Sequence, residues 1–177
     1  MRELAPPLAR EPKLAVQSVR SWYSNGDRLF TYSGGRLLHN VFPTFTEGSE
    51  AELLALVRSG NDADINFVLS VLRSYQGGSF LHAVCRELVE AVPQDDNRLA
   101  EIEVILESTG TVAGEFGLVQ AYQAKKEEVQ SWFSDPRPKV RAFAERYSLT
   151  LDRSIAAEQR RSEGDYEMRR REWTEKQ

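Results

Sequence analysis

Histidine, cysteine and methionine are scarce in this chain: two His, one Cys and two Met among 177 residues. A structural zinc site needs about four Cys or His ligands and a catalytic one about three, so this chain cannot build a Cys/His site without a partner. Cys85 stands alone, so no intrachain disulfide can form, which fits a reducing cytosol. Long apolar runs are missing too. None approaches the roughly 18 residues that a membrane-spanning helix needs. The stretch from Met1 to Pro7 holds an acid and two prolines where a secretory signal would hold an apolar segment. The chain is therefore expected to be cytoplasmic, with no membrane partner, no metal and no cofactor.

The composition that remains is 41% hydrophobic and 28% charged, ordinary for one globular domain with a continuous core. The net charge of −4 hides an asymmetry. Residues 1–48 carry 6 basic and 4 acidic side chains, residues 49–135 carry 6 and 15, and residues 136–177 carry 11 and 8. An acidic body repels phosphate backbones, so nucleic acid is an unlikely partner.

Two helix starts lie 34 residues apart, at Asp62-Ala63-Asp64-Ile65 and Asp96-Asn97-Arg98-Leu99. Ile65, Val68 and Leu72 in the first correspond to Leu99, Ile102 and Leu106 in the second. A looser third copy starts at Asp135 and leads into Phe143, Ala144 and Tyr147. A period of this size with two helices per unit is the sequence mark of an α-solenoid.

Residues 1–12 hold Pro6, Pro7 and Pro12 and read as a non-helical lead-in. Residues 13–24 follow a helical stripe through Leu14, Val19, Trp22 and Tyr23, stopped at Asn25-Gly26. Residues 27–43 fit either a β-hairpin or two short helices broken at Gly34-Gly35, and the helical context favours helices. Ser49 and Glu52 are placed to form a capping box for the next helix. Asn61 or Asp62 caps the one after, and Ser79 caps a third through Leu81, Val84, Leu88 and Val92. Residues 97–108 form a fourth. Residues 115–133 form a fifth with Phe116, Val119, Tyr122, Val129 and Trp132 inward. A sixth begins at Asp135 with Pro136 at its first position, and runs on through Val140, Phe143, Tyr147, Leu151 and Ile155. After Ala157 the apolar stripe fades into a charged arm, which is expected to fray where nothing packs on it.

The run from Asp135 to Ala144 resembles the second helix of a HEAT-type repeat. In that family an aspartate caps the helix, a proline sits in the first turn, and a Val-Arg pair sends one residue inward and one outward. Here these would be Asp135, Pro136, Val140 and Arg141. The earlier copies keep the aspartate and the apolar spacing but lack Val-Arg, so the likeness covers residues 49–157 in part. The segments 114–117, 132–136, 141–147 and 157–161 are also similar to helical C-terminal regions of large bacterial proteins. Some of those carry a STAND-type ATPase or another effector domain and act in antiphage defence. That resemblance implies that the chain is a segment whose enzymatic part lies elsewhere.

No motif announces catalysis. His82 and Cys85 share a helix face, but Cys85 falls between Val84 and Leu88, where an inert buried thiol is the plainer reading. Gly110, Gly114 and Gly117 lack the Lys-Ser/Thr of a phosphate loop and read as a tight turn, with Gly117 allowing close approach of backbones. Glu87, Glu90, Asp95, Asp96, Glu101, Glu103 and Glu107 lack the ligand order of a calcium loop and read as a solvated face. The candidates for partner binding are Arg160, Arg161, Tyr166, Arg169, Arg170 and Trp173, because arginine and aromatics concentrate at binding hot spots.

The expected fold is thus all-α: an N-terminal cap (1–48), partly irregular, about three HEAT-like helix pairs (49–157), and a charged C-terminal helical arm (158–177). The expected role is a non-catalytic protein–protein interaction scaffold. The alternatives are a regulatory or sensing segment of a larger bacterial NTPase, or a helical-repeat nucleic-acid binder.

Overall fold

The computed structural model describes residues 10–24, 28–75, 77–109, 112–114 and 116–175, with side chains described except at 28–33 and 169–175. Most of the proline-bearing lead-in, the Asn25-Gly26 turn and Gly110 lie outside the described residues. The described residues form α-helices and 3₁₀ turns, with no strand among them. The helices are α1 (Pro12–Ser24), α2 (Arg28–Val41), α3 (Glu47–Arg58), α4 (Asp62–Leu72), α5 (His82–Ala91), α6 (Arg98–Glu107), α7 (Gly117–Glu128) and α8 (Pro138–Glu175). They fall into two compact units, Met1–Ser108 and Thr109–Gln177, a division inside the segment read as helical repeats.

In the first unit, consecutive helices pack as hairpins: α1 on α2, α3 on α4, α5 on α6. Odd helices also neighbour odd (α1 with α3, α3 with α5), and even neighbour even (α2 with α4, α4 with α6). Ile65, Val68, Leu72, Leu99, Ile102 and Leu106 are all buried, so both copies of the 34-residue pattern point into the core. Where the cap was expected to be partly irregular, the described residues between 12 and 41 form a helix pair. Pro12 belongs to it as the first residue of α1, where its missing N–H costs nothing. The inward face of α1 is Ala15, Val16 and Val19, whereas Leu14 is exposed.

Two local expectations shift for identifiable reasons. Gly34-Gly35 does not break α2. A Cβ at Gly34 would lie 2.8 Å from Val19 Cγ1 of α1, and one at Gly35 would lie 2.7 Å from the Ser70 carbonyl of α4. The pair lets α2 sit close to both neighbours, at the usual helix cost of glycine. The capping box exists one turn earlier than expected. Thr46 is the N-cap: its Oγ1 accepts from Ser49 N at 3.3 Å, while Ser49 Oγ accepts from Thr46 N at 2.9 Å. Glu52, freed from that role, accepts from Gln17 Nε2 of α1 at 2.8 Å. Ser79 likewise makes no side-chain cap; it opens a 3₁₀ turn, Ser79–Leu81, that leads into α5.

An aromatic cluster closes the end of α4. Tyr75 donates its hydroxyl to the Phe42 carbonyl at 3.0 Å, and His39, Phe45 and Phe80 meet its ring edge-on at 5.0, 4.9 and 5.7 Å. Burial pushes the Tyr75 phenol up to about 12.

In the second unit, α7 and α8 are joined through a 3₁₀ turn, Gln130–Ser134, so the expected single helix over 115–133 ends at Glu128. Trp132 stacks on Phe143 at 5.9 Å, and Lys126 pairs with Asp152 at 2.6 Å. These partners recede from one another along the chain, so the hairpin is antiparallel. Val119, Val129, Trp132, Val140, Phe143, Ala144, Tyr147 and Leu151 form its core, Tyr122 is half-buried, and Phe116 is exposed rather than inward. The helix start is two residues later than expected, with Pro138 rather than Pro136 at the first position. The helix is continuous to Glu175, so the charged arm is the long C-terminal helix expected from the sequence.

Two measurements follow from this packing. Leu72→Ala and Leu106→Ala should each lower the unfolding free energy by about 2 to 5 kcal/mol in denaturant titrations, as buried leucines do; a smaller loss at both would show that these positions are not core. Stability should also fall on the alkaline side. A phenol whose folded pKa is raised stabilises the fold fully below its unfolded value near 10, and that contribution is lost as pH rises toward about 12. Tyr75→Phe should flatten the decline measured between those limits.

Candidate functional site

Cys85 is fully buried on α5, and that burial pushes its thiol up to about 12. A nucleophile needs the opposite shift. His82, three residues earlier, is half-buried. Among the described residues no cluster of three or more His, Cys, Asp or Glu is placed to hold a metal ion.

On the acidic face of the first unit, Glu87, Asp96 and Glu101 are paired with the chain's own arginines. Glu87 accepts from Arg58 Nε at 2.8 Å, and Arg73 Nε lies 2.7 Å from Glu101. Arg98 reaches Asp96 at 2.6 Å and Asp62 at 2.7 Å, linking the starts of the two repeat helices. That hydrogen bond from Arg98 holds the Asp96 carboxyl below the usual carboxylate range. These pairs join α3 to α5 and α4 to α6, so the face is bound up in holding the hairpins together.

The helix starts share a turn that the 34-residue alignment only approximates. Asn61, Asp96 and Asp135 each accept, through Oδ1, from the backbone N–H two residues on, at 2.8, 2.8 and 3.0 Å. In the second and third copies that next-but-one residue is an arginine, and its guanidinium folds back onto the same aspartate: Arg98 on Asp96, Arg137 on Asp135 at 2.9 Å. The recurring Asp-x-Arg was the signal for this, and the aspartate spacing alone missed it. Arg141 of the Val-Arg pair donates to the carbonyls of Asp135 and Pro136 at 2.7 and 3.0 Å, while Val140 is buried. Gly114 turns the chain before α7 with φ +91°, but Gly117 needs no close approach: a Cβ there would meet Val112 at 3.6 Å, an ordinary contact.

The remaining candidates lie on α8. Arg160 and Arg161 are exposed, Arg161 lies 3.9 Å from Glu158, and Tyr166 is 55% exposed. Arg169, Arg170 and Trp173 lie on the same continuous helix, with side chains outside the described set. The arm is not bare throughout, since Ser162 is buried. Just beyond it, Glu163, Tyr166 and Glu167 of α8 and Phe116 at the start of α7 enclose a groove of about 280 Å³. Phe116 is absent from the sequence candidates because its helical spacing placed it inward. The groove offers two aromatic rings and two carboxylates, a setting for an aromatic or cationic side chain and a poor one for phosphate.

No protein-family model, no curated protein and no solved structure matches this chain. No helix among the described residues is long and apolar enough to cross a membrane.

The Cys85 geometry makes a direct prediction. A maleimide or disulfide reagent should label native Cys85 only as fast as the first unit opens, and labelling should become immediate in denaturant. Rapid labelling of the folded chain would show an accessible thiol and reopen the question of thiol chemistry.

Proposed function

We propose that this chain is a non-catalytic protein–protein interaction scaffold, its helix hairpins stacked in the manner of HEAT repeats, with the exposed arm of α8 as its docking element. The alternation of odd-with-odd and even-with-even helix packing supports the stacking, because that is how hairpins pile into a two-layer solenoid. The observation that carries the docking role is a contrast between two charged surfaces. The acidic face of the first unit is knitted into interhelical ion pairs. The α8 arm instead displays Tyr166, Met168, Arg160 and Arg161 beside a groove that Phe116 borders. Large side chains left exposed in one place, with arginines beside them, are what a binding surface needs.

The test compares the intact chain with a variant carrying Arg160→Glu, Arg161→Glu and Tyr166→Asp. All three positions are exposed, so the thermal midpoint should stay within a few degrees of the parent. Binding partners recovered by the parent should be lost by the variant. Turnover of a nucleotide, nucleic acid or peptide by the purified chain would overturn the non-catalytic reading.

A further inference from the structure

The groove beside Phe116 is lined for a positive charge. Two aromatic rings, Phe116 and Tyr166, and two carboxylates, Glu163 and Glu167, surround about 280 Å³. All four residues are exposed, Phe116 by 41% and Tyr166 by 55%. Aromatic faces and carboxylates both carry negative potential, so the four groups attract one kind of guest, a cation. Glu163 and Glu167 stand four residues apart on α8, a like-charge spacing that weakens a helix. A cation held between them removes that repulsion. Glu87 and Glu101 of the first unit are held by Arg58 and Arg73, but among the described residues none pairs with Glu163.

Resting on the docking role of the arm above, we infer that this groove takes an arginine side chain of the protein that docks on α8. A guanidinium is planar and weakly hydrated. It can stack on an aromatic ring while its N–H groups donate to two carboxylates at once. A lysine ammonium is a compact, strongly hydrated point charge and loses more on leaving water. Phosphate is repelled by both carboxylates, and an apolar guest would strip water from them without replacing its hydrogen bonds. The surroundings narrow the partner further. Arg160 is exposed one turn before Glu163 on the same helix face. A polybasic tract would meet like charge there, so the guest is a single arginine with neutral or acidic neighbours. An open groove holds one such side chain weakly, and the rest of the interface supplies the remaining affinity.

The probe is the blocked peptide acetyl-Gly-Arg-Gly-amide, titrated into the isotope-labelled full chain and followed by amide NMR shifts. Saturable shifts should centre on Phe116 and on Glu163 to Glu167, with a dissociation constant of roughly 1 to 10 mM. The same peptide with citrulline, which keeps the shape and drops the charge, should bind about tenfold more weakly or not at all. The lysine peptide should bind about threefold more weakly. The double variant Glu163→Gln/Glu167→Gln should lose about tenfold in affinity, and Phe116→Ala about threefold. These positions are exposed, so each variant should keep the parent's circular dichroism, and the citrulline comparison needs no variant at all. Absence of saturable shifts by about 50 mM peptide overturns the proposal. So do shifts centred elsewhere, equal binding of the citrulline or lysine peptide, or a double variant that binds as the parent does. A chain that refuses the arginine peptide yet loses its partners on Arg160→Glu, Arg161→Glu and Tyr166→Asp keeps its docking arm and loses this guest. Peptide binding by a chain whose partners survive that triple change supports the guanidinium site and overturns the docking role of the arm.

Discussion

A buried carboxylate sets the geometry of the first unit. Asp64 is only 5% exposed, and a charge so placed is costly unless it is paired and hydrogen-bonded. Arg20 supplies two parallel bonds, at 2.6 and 2.9 Å, and the Ser59 hydroxyl lies 3.2 Å from one carboxylate oxygen. Donating to Asp64 in turn raises the Arg20 pKa above its ordinary value. Arg20 is on α1, Ser59 ends α3 and Asp64 lies in the first turn of α4, so satisfying one carboxylate brings three elements to one point. The first turn of a helix is also where a negative charge is favoured by the backbone dipole. With α1 held there, Tyr23 meets Phe67 edge-on at 5.4 Å and Val19 lies against Gly34 of α2.

The helix starts show the same economy repeated along the chain. A side-chain oxygen at Asn61, Asp96 or Asp135 satisfies the N–H two residues on, one of the donors a helix start would otherwise leave open. At Asp96 and Asp135 the following arginine neutralises the carboxylate on the spot. Arg98 goes further by reaching Asp62, so the cation that neutralises Asp96 at one helix start also binds the start of the preceding even helix. The repeat is thus a repeat of an electrostatic solution at helix starts as much as of apolar spacing. The matching turns, at Asn61 and Asp96, lie 35 residues apart rather than 34.

This explains what the sequence made legible. The stripes Ile65–Leu72 and Leu99–Leu106 were readable because a 3.6-residue period survives whatever the tertiary context. Helix edges were not, because capping depends on which of several polar residues the chain entry angle favours: Thr46 instead of Ser49, Pro138 instead of Pro136. Gly34-Gly35 read as a break because its reason, close approach to Val19 and Ser70, lies in residues distant along the chain. Phe116 and Leu14 read as inward because a helical wheel has no information about where the neighbouring helix stops. Of the candidate site, the arginines and aromatics of the arm were visible as composition. The groove was not, since it needs Phe116 to arrive from the start of α7.

The length of α8 is where these lines converge. At 1.5 Å per residue its 38 residues span about 57 Å, while the 12 residues of α7 cover about 18 Å. The antiparallel hairpin therefore runs out of partner near Phe116, opposite Glu163 and Tyr166, and α8 continues. Tyr166 and Met168 are exposed at the start of that continuation, and Gly164 subtracts about 1 kcal/mol of intrinsic preference. The spacings Asp165/Arg169 and Glu167/Arg171 return only a few tenths of a kcal/mol each. A helix so marginal by itself gains most from a second surface laid along it. The groove lies where α7 gives out, so such a surface would extend the packing that α7 begins.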